Sequence, residues 1–245
     1  MRPTPSRKDT GVDDNHAQAS SRGTLASRWP VTIAIGIPTI IIAYTFGTLL
    51  GTIAAVRQNS WVDYLVTTVG TLGLTVPSWV VGTWLVLVLS VRYDLLPTGG
   101  WGSWQNYIMP VIAYSLAPMA LVARYTRLTL IETMRADYVR TARSKGLSEK
   151  RIMAGHIARN AAIPWVTVLL PEIPNILTGS IFIEAIFNIP GLGSYFVTST
   201  ISRDYPMILA LTLLIAALWG VTYLLTDLLY TLLDPRVRLT GGRAG

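Results

Sequence analysis

Long stretches of this sequence contain no charged residue. No Asp, Glu, Lys or Arg occurs from Trp29 to Val56, from Tyr64 to Val91, or from Tyr205 to Thr226. Each stretch reaches or exceeds the ~20 residues that a helix needs to cross a bilayer. Only 13% of the residues are charged, about half the usual share of a soluble domain. The sequence therefore predicts an all-α, polytopic membrane helix bundle and excludes secreted, fibrous and disordered proteins.

Five membrane spans are predicted when the other apolar stretches are added. Their approximate bounds are 31–56, 64–91, 107–131, 161–187 and 206–233. The first contains Gly47 and Gly51, whose spacing lets a neighbouring helix approach closely. Pro77, near the middle of the second, is expected to kink it. At the end of the third, Arg124 and Arg127 are expected to extend their side chains into water.

The two ends of the chain are polar. Residues 1–28 contain almost no large apolar side chains and are predicted to form a disordered tail. Because no apolar core follows closely behind the start, a cleavable signal peptide is not expected. The membrane domain is placed at residues 29–238, with a loop at 136–160, and residues 239–245 form a C-terminal tail.

Basic residues are concentrated in one loop. Nine of the twenty Lys and Arg residues lie between Arg124 and Arg159, which indicates a cytoplasmic loop by the positive-inside rule. With five spans, this orientation places the C-terminus in the cytoplasm and the N-terminal tail outside, although the tail itself carries five basic residues. Since the charge is explained by topology, binding of nucleic acid is not expected.

The loop is predicted to form a helix, a tight turn and a second helix. Asp137 and Arg140 can pair one turn apart on the first helix, which Gly146 would end as its C′ residue. Ser148 suits the N-cap of the second helix, with Glu149 in its first turn. Two other interpretations are a DNA-reading helix-turn-helix, which needs a third helix and its own core, and a solvated basic loop that only fixes topology.

The sequence offers no site for catalysis or for a tightly held metal. Without cysteine there is no disulfide or thiolate metal site, and His16 and His156 are far apart in the chain. No phosphate-binding G-x-x-x-x-G-K-[ST] loop, paired catalytic carboxylates or nucleophile–His arrangement is present. We therefore expect no enzyme and no cofactor bound by this chain.

Several ordered motifs resemble one family. YVRTARSKGLS at 138–148, followed by HIARNAAIP at 156–164, resembles the EAA loop of ABC importer permeases, with Arg140 at its first acidic position. This version of the loop is similar to the EAA loop in the permeases of oligopeptide, dipeptide and nickel importers. Further matches are LPTGGWG at 96–102, EAIFNIPGLG at 184–193, RDYP at 203–206 and DLLY…LDPR at 227–236.

The resemblance implies a pore subunit with the fold of type I ABC importer permeases, in the cytoplasmic (inner) membrane. It implies a second permease, forming a heterodimer, two cytoplasmic ATPases that use ATP and Mg²⁺, and an extracytoplasmic binding protein. The cargo would be dipeptides or oligopeptides. Nickel import is the alternative within the family, and a stand-alone secondary carrier is the alternative from another class. The residues implied to dock the ATPase are Arg140, Thr141, Ala142, Arg143, Gly146, Leu147, Ser148 and Glu149.

Two acidic residues of the fourth predicted span are candidates for the translocation pathway. A carboxylate facing lipid would be costly, so Glu172 is expected to face a water-filled path or to pair with the second permease. Pro171 and Pro174 free backbone groups around it, which is tolerated where a cavity is lined. Glu184 is nearer the external end, and its motif implies a structural or gating role.

The start of the chain departs from the family. Members usually carry an additional span and an external region ahead of the segment that corresponds to Val31. Here the polar residues 1–28 take that place. A shortened gene, an alternative start and a genuine five-span variant would each produce this pattern.

Overall fold

The computed structural model describes residues 10–146, 171–175 and 178–233, and the regular elements in these ranges are all helical. This confirms the predicted all-α class. In chain order the helices are α1 (Thr10–Val56), α2 (Trp61–Thr75), α3 (Ser78–Leu85) continued by a π-helical segment (Val86–Arg92), α4 (Gln105–Arg135), α5 (Asp137–Ser144), α6 (Ile181–Ile186), α7 (Leu192–Ile201) and α8 (Tyr205–Leu233).

Three of these helices are long and apolar enough to cross a membrane: Ala26–Val56, Gln105–Arg135 and Tyr205–Leu228. They correspond to the first, third and fifth predicted spans. The pair Trp61–Thr75 and Ser78–Arg92 passes the same test together, which gives up to four spans in the described part of the chain. The predicted span at 161–187 lies largely outside the described residues, so the count of five stays a prediction.

The second predicted span is broken at Pro77. Its two halves are bent by 98°. The residue before the proline, Val76, is extended, with ψ 121°, while its N–H still donates to the Leu72 carbonyl at 2.9 Å. Proline disfavours helical geometry in the residue before it and lacks an N–H of its own, so the helix stops and starts again at Ser78. The predicted kink is confirmed as a complete break.

Helix α1 begins at Thr10 and therefore continues through most of the segment that was predicted as a disordered tail. No proline occurs between Pro5 and Pro30. Once the apolar part of a helix has formed, each further residue adds a hydrogen bond without a new nucleation cost. The prediction of a disordered tail rested on polar composition alone, and from Thr10 onward the structure differs from it.

Helices α1 and α4 pack almost backbone to backbone. A Cβ on Gly47 would lie 2.6 Å from the carbonyl oxygen of Met119, and one on Gly51 would collide with the carbonyl oxygen of Ala123. Since later residues of α1 meet later residues of α4, the two helices run in the same direction. The close approach predicted from the glycine spacing is confirmed, and its partner is α4.

Three clusters of buried apolar residues hold the bundle together. One joins α1, α4 and the region of α6 through Ile35, Met109, Val111, Ala113, Ile183, Phe187 and Ile189. A second, at the opposite end, joins α5 to α1 and α4, and a third joins α7 to α8. By contrast, Leu213 and Leu224 of α8 are 69% and 72% exposed, as expected of surfaces that contact lipid or partner helices.

Candidate functional site

The first half of the predicted cytoplasmic loop lies within the described residues. Helix α5 ends at Ser144, and the Lys145 N–H donates to the Thr141 carbonyl at 3.2 Å. Gly146 follows with φ +74°, a left-handed conformation that a β-carbon disfavours. The predicted helix end at Gly146 is confirmed. The predicted second helix, with Leu147, Ser148 and Glu149, lies outside the described residues.

One face of α5 is packed inside the chain. Val139 is fully buried and Ala142 is 6% exposed, and both belong to one buried apolar cluster with Ala55 at the end of α1 and Leu130 near the end of α4. Ala142 was predicted to touch an ATPase. Its side chain instead holds α5 onto the membrane helices, because helical spacing turns it to the same side as Val139.

The other face of α5 is exposed. The Arg140 side chain is 75% exposed, and its Nη1 lies 3.8 Å from Oδ1 of Asp137, the pairing predicted from the sequence. A pair this exposed contributes little stability. Thr141 and Gly146 are exposed as well, and Arg143 belongs to the same helix. Of the residues implied to dock the ATPase, Ala142 is therefore packed inside the chain, whereas Arg140, Thr141 and Gly146 are exposed.

At the end of the bundle opposite α5, Glu184 is buried and caps α7. Its Oε1 accepts a hydrogen bond from the Thr32 hydroxyl at 2.9 Å, and its Oε2 accepts from the Ser194 N–H at 3.0 Å. The Thr32 oxygen in turn accepts from the Leu192 N–H at 2.9 Å. Free N–H groups at a helix N-terminus favour a carboxylate, so Glu184 satisfies the first turn of α7 from another element.

Glycines surround this carboxylate. A Cβ on Gly191 would lie 2.5 Å from Oε2 of Glu184, and one on Gly193 would lie 3.1 Å from the same atom. Gly179, with φ +77°, has no room for a Cβ beside Oε1. The two glycines at the start of α7, Gly191 and Gly193, thus leave room for the carboxylate.

Two of the recognised motifs meet beside this cap. The Gly100 N–H donates to the Phe187 carbonyl at 2.7 Å, and Gly99 packs so closely on Phe187 that a Cβ would collide with it. The segment 96–102 is thus fastened to the segment 184–193. The sequence gave no indication that these two motifs touch.

Glu172 belongs to the described segment 171–175, which faces α4 and carries polar groups. Its Oε2 accepts from Nδ2 of Asn175 at 3.3 Å, and the Tyr114 hydroxyl donates to the Asn175 carbonyl at 3.0 Å. The Tyr44 hydroxyl of α1 is buried and has no hydrogen-bond partner among the described residues. Among the residues that the structure describes, no basic side chain forms an ion pair with Glu172. In these ranges, no group of acidic or histidine side chains is arranged to hold a metal.

A buried ion pair that the sequence did not predict joins α2 to α4. Arg127 Nε lies 2.5 Å from Oδ1 of Asp63, and Arg127 Nη2 lies 2.7 Å from Oδ2. The Asp63 side chain is 3% exposed and that of Arg127 is 23% exposed. Arg127 therefore does not extend into water as predicted, whereas Arg124 is exposed. Asp63 is the only acidic residue between Asp14 and Asp94, and this isolation could have indicated that it has a specific partner.

Comparison with known proteins gives close relatives. Residues 47–239 match the family described as "Binding-protein-dependent transport system inner membrane component". The dipeptide transport system permease protein of Lactococcus lactis subsp. cremoris is 43% identical over 215 residues, covering 88% of this chain and 71% of that protein. The corresponding Bacillus subtilis protein is 39% identical over 94% of this chain and 75% of its own length. The oligopeptide transport system permease protein of Escherichia coli is 37% identical, with 94% and 76% covered.

Solved structures share the fold at lower identity. A chain of the MetNI methionine ABC transporter, solved in inward-facing conformations, superposes with a TM-score of 0.69 at 14% identity, covering 87% of this chain and 97% of that one. A chain of an amino acid ABC transporter gives 0.58 at 17% identity, with 90% and 97% covered. The helix arrangement described above is therefore one that occurs in ABC transporters.

Proposed function

This chain belongs to the family of binding-protein-dependent transport system inner membrane components, and we propose that it is the pore subunit of an ATP-driven importer of dipeptides or oligopeptides. The observation that carries the proposal is the 43% identity to a dipeptide permease protein over 88% of the chain. The geometry supports it, since α5 is anchored on two membrane-crossing helices while its polar face is free for a partner.

The partners are a second permease that completes the pore as a heterodimer, two ATPases on the cytoplasmic side and an extracytoplasmic binding protein. ATP and Mg²⁺ bind to the ATPases, because this sequence has no phosphate-binding loop. The chain itself is neither an enzyme nor a cofactor protein. The exposed apolar faces of its long helices support contacts with lipid and with the second permease.

The ATPase docks on the exposed side of α5 and on the turn that follows it. Arg140, Thr141, Arg143 and Gly146 belong to this surface, which continues through Leu147, Ser148 and Glu149. Val139 and Ala142 belong to the opposite side of α5 and pass its displacement to α1 and α4, against which they pack. Docking on one face and packing on the other is what a coupling element requires.

Glu172 faces the translocation pathway, and Glu184 acts in gating by fixing the start of α7. Polar groups near Glu172, the Asn175 side chain and the hydroxyls of Tyr44 and Tyr114, support an orientation of its carboxylate away from lipid. Glu184 is 2% exposed, so its role is to hold the segment 184–193 in place and not to contact cargo.

The chain lies in the cytoplasmic (inner) membrane with α5 and the C-terminus in the cytoplasm and the N-terminal tail outside. The concentration of basic residues between Arg124 and Arg159 supports this orientation. It puts the Glu184 cap at the external end, where a binding protein delivers cargo.

Purification of the tagged chain with its co-expressed partners tests the proposal. The ATPases and the second permease are expected to co-purify, and vesicles containing the complex should accumulate a labelled dipeptide when the binding protein is present. Uptake of Ni²⁺ but not of the dipeptide would contradict the peptide assignment. A chain that moves the dipeptide without any ATPase would contradict the assignment to an ABC importer.

A further inference from the structure

The ion pair between Asp63 and Arg127 joins α2 to α4 beside a partly open cavity. A partly open cavity of about 400 Å³ lies between α2 and α4 next to the pair, and Gly70, Ala120, Arg124 and Arg127 are among the residues that line it. Interhelical spacing is normally set by interlocking side chains. Beside the cavity, the two parallel N–H···O bonds of Arg127 tie the start of α2 directly to α4, whereas further along α2 the glycines Gly70 and Gly73 approach Ala120.

The Asp63 carboxylate also holds the turn that precedes α2. Its Oδ2 accepts from the Asn59 N–H at 3.0 Å, and Asn59 has a left-handed φ of 61°. The Ser60 hydroxyl caps α2 by accepting from the Asp63 N–H at 3.5 Å. One side chain thus fixes the turn, the start of α2 and, through Arg127, the position of both relative to α4.

The pair lies close to the site where α5 is anchored. Leu130 follows Arg127 by three residues, which is about 4.5 Å along the axis of α4. Leu130 belongs to the same buried cluster as Val139 and Ala142 of α5. A second tie lies about 12 Å from the first along α4, where Arg135 Nη2 donates to Gln58 Oε1 at 3.3 Å. The end of α4 is therefore attached to α5 on one side and to the α1–α2 turn on another.

We propose that Asp63 and Arg127 are positioning residues for transport, which make α2 follow α4 when the docked ATPase displaces α5. This inference rests on the proposed function. Displacement of α5 reaches α4 through the packing of Val139 and Ala142 on Leu130. Across the partly open cavity, the charged pair is what carries it onward to α2. Without the pair, α4 moves while α2 lags, and ATP is hydrolysed with little transport.

The first test measures the ratio of peptide transported to ATP hydrolysed in the reconstituted importer. Arg127→Gln and Asp63→Asn should each lower this ratio about tenfold while leaving ATPase co-purification intact. Arg124→Gln is the matched control, because it removes an arginine one turn away that lines the same cavity and forms no ion pair among the described residues. An equal ratio for Arg127→Gln and Arg124→Gln would overturn the proposal.

A second test replaces the ion pair by a covalent tie. A Cβ on Gly70 would lie 4.0 Å from the Cβ of Ala120, within the range for a disulfide, and the chain has no other cysteine. In the Arg127→Gln background, oxidising Gly70→Cys with Ala120→Cys should restore most of the lost ratio. Loss of transport upon oxidation with the ion pair intact would show that α2 and α4 must separate, and would overturn the proposal.

Cross-linking also separates failure of this inference from failure of the proposed function. The rate of disulfide formation in isolated membranes needs neither cargo nor ATP, and Arg127→Gln should slow it severalfold because α2 is no longer held against α4. Equal rates with and without the pair would contradict the inference. If the unaltered chain shows no ATP-dependent peptide uptake, the proposed function fails whatever the cross-linking rate. Should Arg127→Gln not reach the membrane, Arg127→Lys keeps the charge without the paired geometry and should give intermediate values.

Discussion

The hydroxyl of Thr32 donates a hydrogen bond of 2.9 Å to the carboxylate of Glu184, although 152 positions separate the two residues in the chain. The same oxygen accepts from the Leu192 N–H, so a single threonine of α1 fixes both the carboxylate and the first turn of α7. Further along α1, Ala55 packs against α5. One continuous helix therefore connects, over about 35 Å, the capped segment at one end with the proposed ATPase-docking element at the other.

Replacing Thr32 by valine should destabilise the protein. Valine keeps the shape of the side chain but removes the Thr32 partner from Oε1 of Glu184 and from the Leu192 N–H, at a cost of about 1–3 kcal/mol per unsatisfied group, while Oε2 keeps the Ser194 N–H. Thermal unfolding of the detergent-solubilised protein measures the effect. Thr39→Val is the matched control, because the buried Thr39 hydroxyl bonds only to the Ile35 carbonyl of its own helix. Equal midpoints for the two variants would contradict the assigned capping role.

Replacing Gly146 by valine should uncouple the ATPase without unfolding the membrane domain. The left-handed φ makes a β-branched residue costly by roughly 1–2 kcal/mol, yet a Cβ at this position meets no atom of the described residues within 4 Å. The variant should reach the membrane but fail to retain or stimulate the ATPase. Gly102→Val is the control, since Gly102 also has a positive φ and open space but lies at the opposite end. Undiminished ATPase co-purification with the Gly146 variant would contradict the docking surface.

The N-terminal segment should be accessible from outside the membrane. A cysteine introduced at Ser20 should react with an impermeant maleimide in intact cells, or in spheroplasts where an outer membrane intervenes. A cysteine at Lys145, in the exposed turn after α5, should react only after the inner membrane is opened. The absence of native cysteine makes each label specific within this chain. The reverse pattern would refute the orientation and the number of spans on which it depends.

Replacing Glu172 by glutamine should change the charge preference of transport. If the carboxylate faces the path, uptake of cationic peptides should fall while uptake of neutral peptides is retained, as measured by competition in vesicles. Glu132→Gln, on the exposed side of α4, should change neither. A loss of complex assembly with no change in preference among the surviving transporters would instead indicate that Glu172 pairs with the second permease.

Local rules predicted much of the fold. Uncharged length located α1 and α8, and apolar composition located α4, to within a few residues of the apolar helices observed, and the chemistry of proline placed the break at Pro77. The spacing of Gly47 and Gly51 predicted a close helix contact, and Gly146 predicted a left-handed helix end. Each of these features depends on a few neighbouring residues, which is why the sequence was sufficient.

The connections between distant residues could not be predicted in the same way. Asp63 and Arg127 are 64 positions apart, and Arg127 was expected in water because nothing in its own helix indicated a partner. The inward position of Ala142 depends on where α1 ends relative to α5. Such pairings follow from the packing of whole helices. The sequence indicates which residues share one face of a helix, but not which neighbouring helix that face contacts.

Uptake of a labelled dipeptide into vesicles that contain the complete complex tests the central claim most directly. With the binding protein present, uptake should require ATP on the ATPase side and should persist when ion gradients across the membrane are dissipated. Replacing the nucleotide-binding lysine of the ATPase subunits should abolish it. Uptake that continues without ATP but stops when an ion gradient is removed would identify a secondary carrier and contradict the assignment of this chain to an ATP-driven importer.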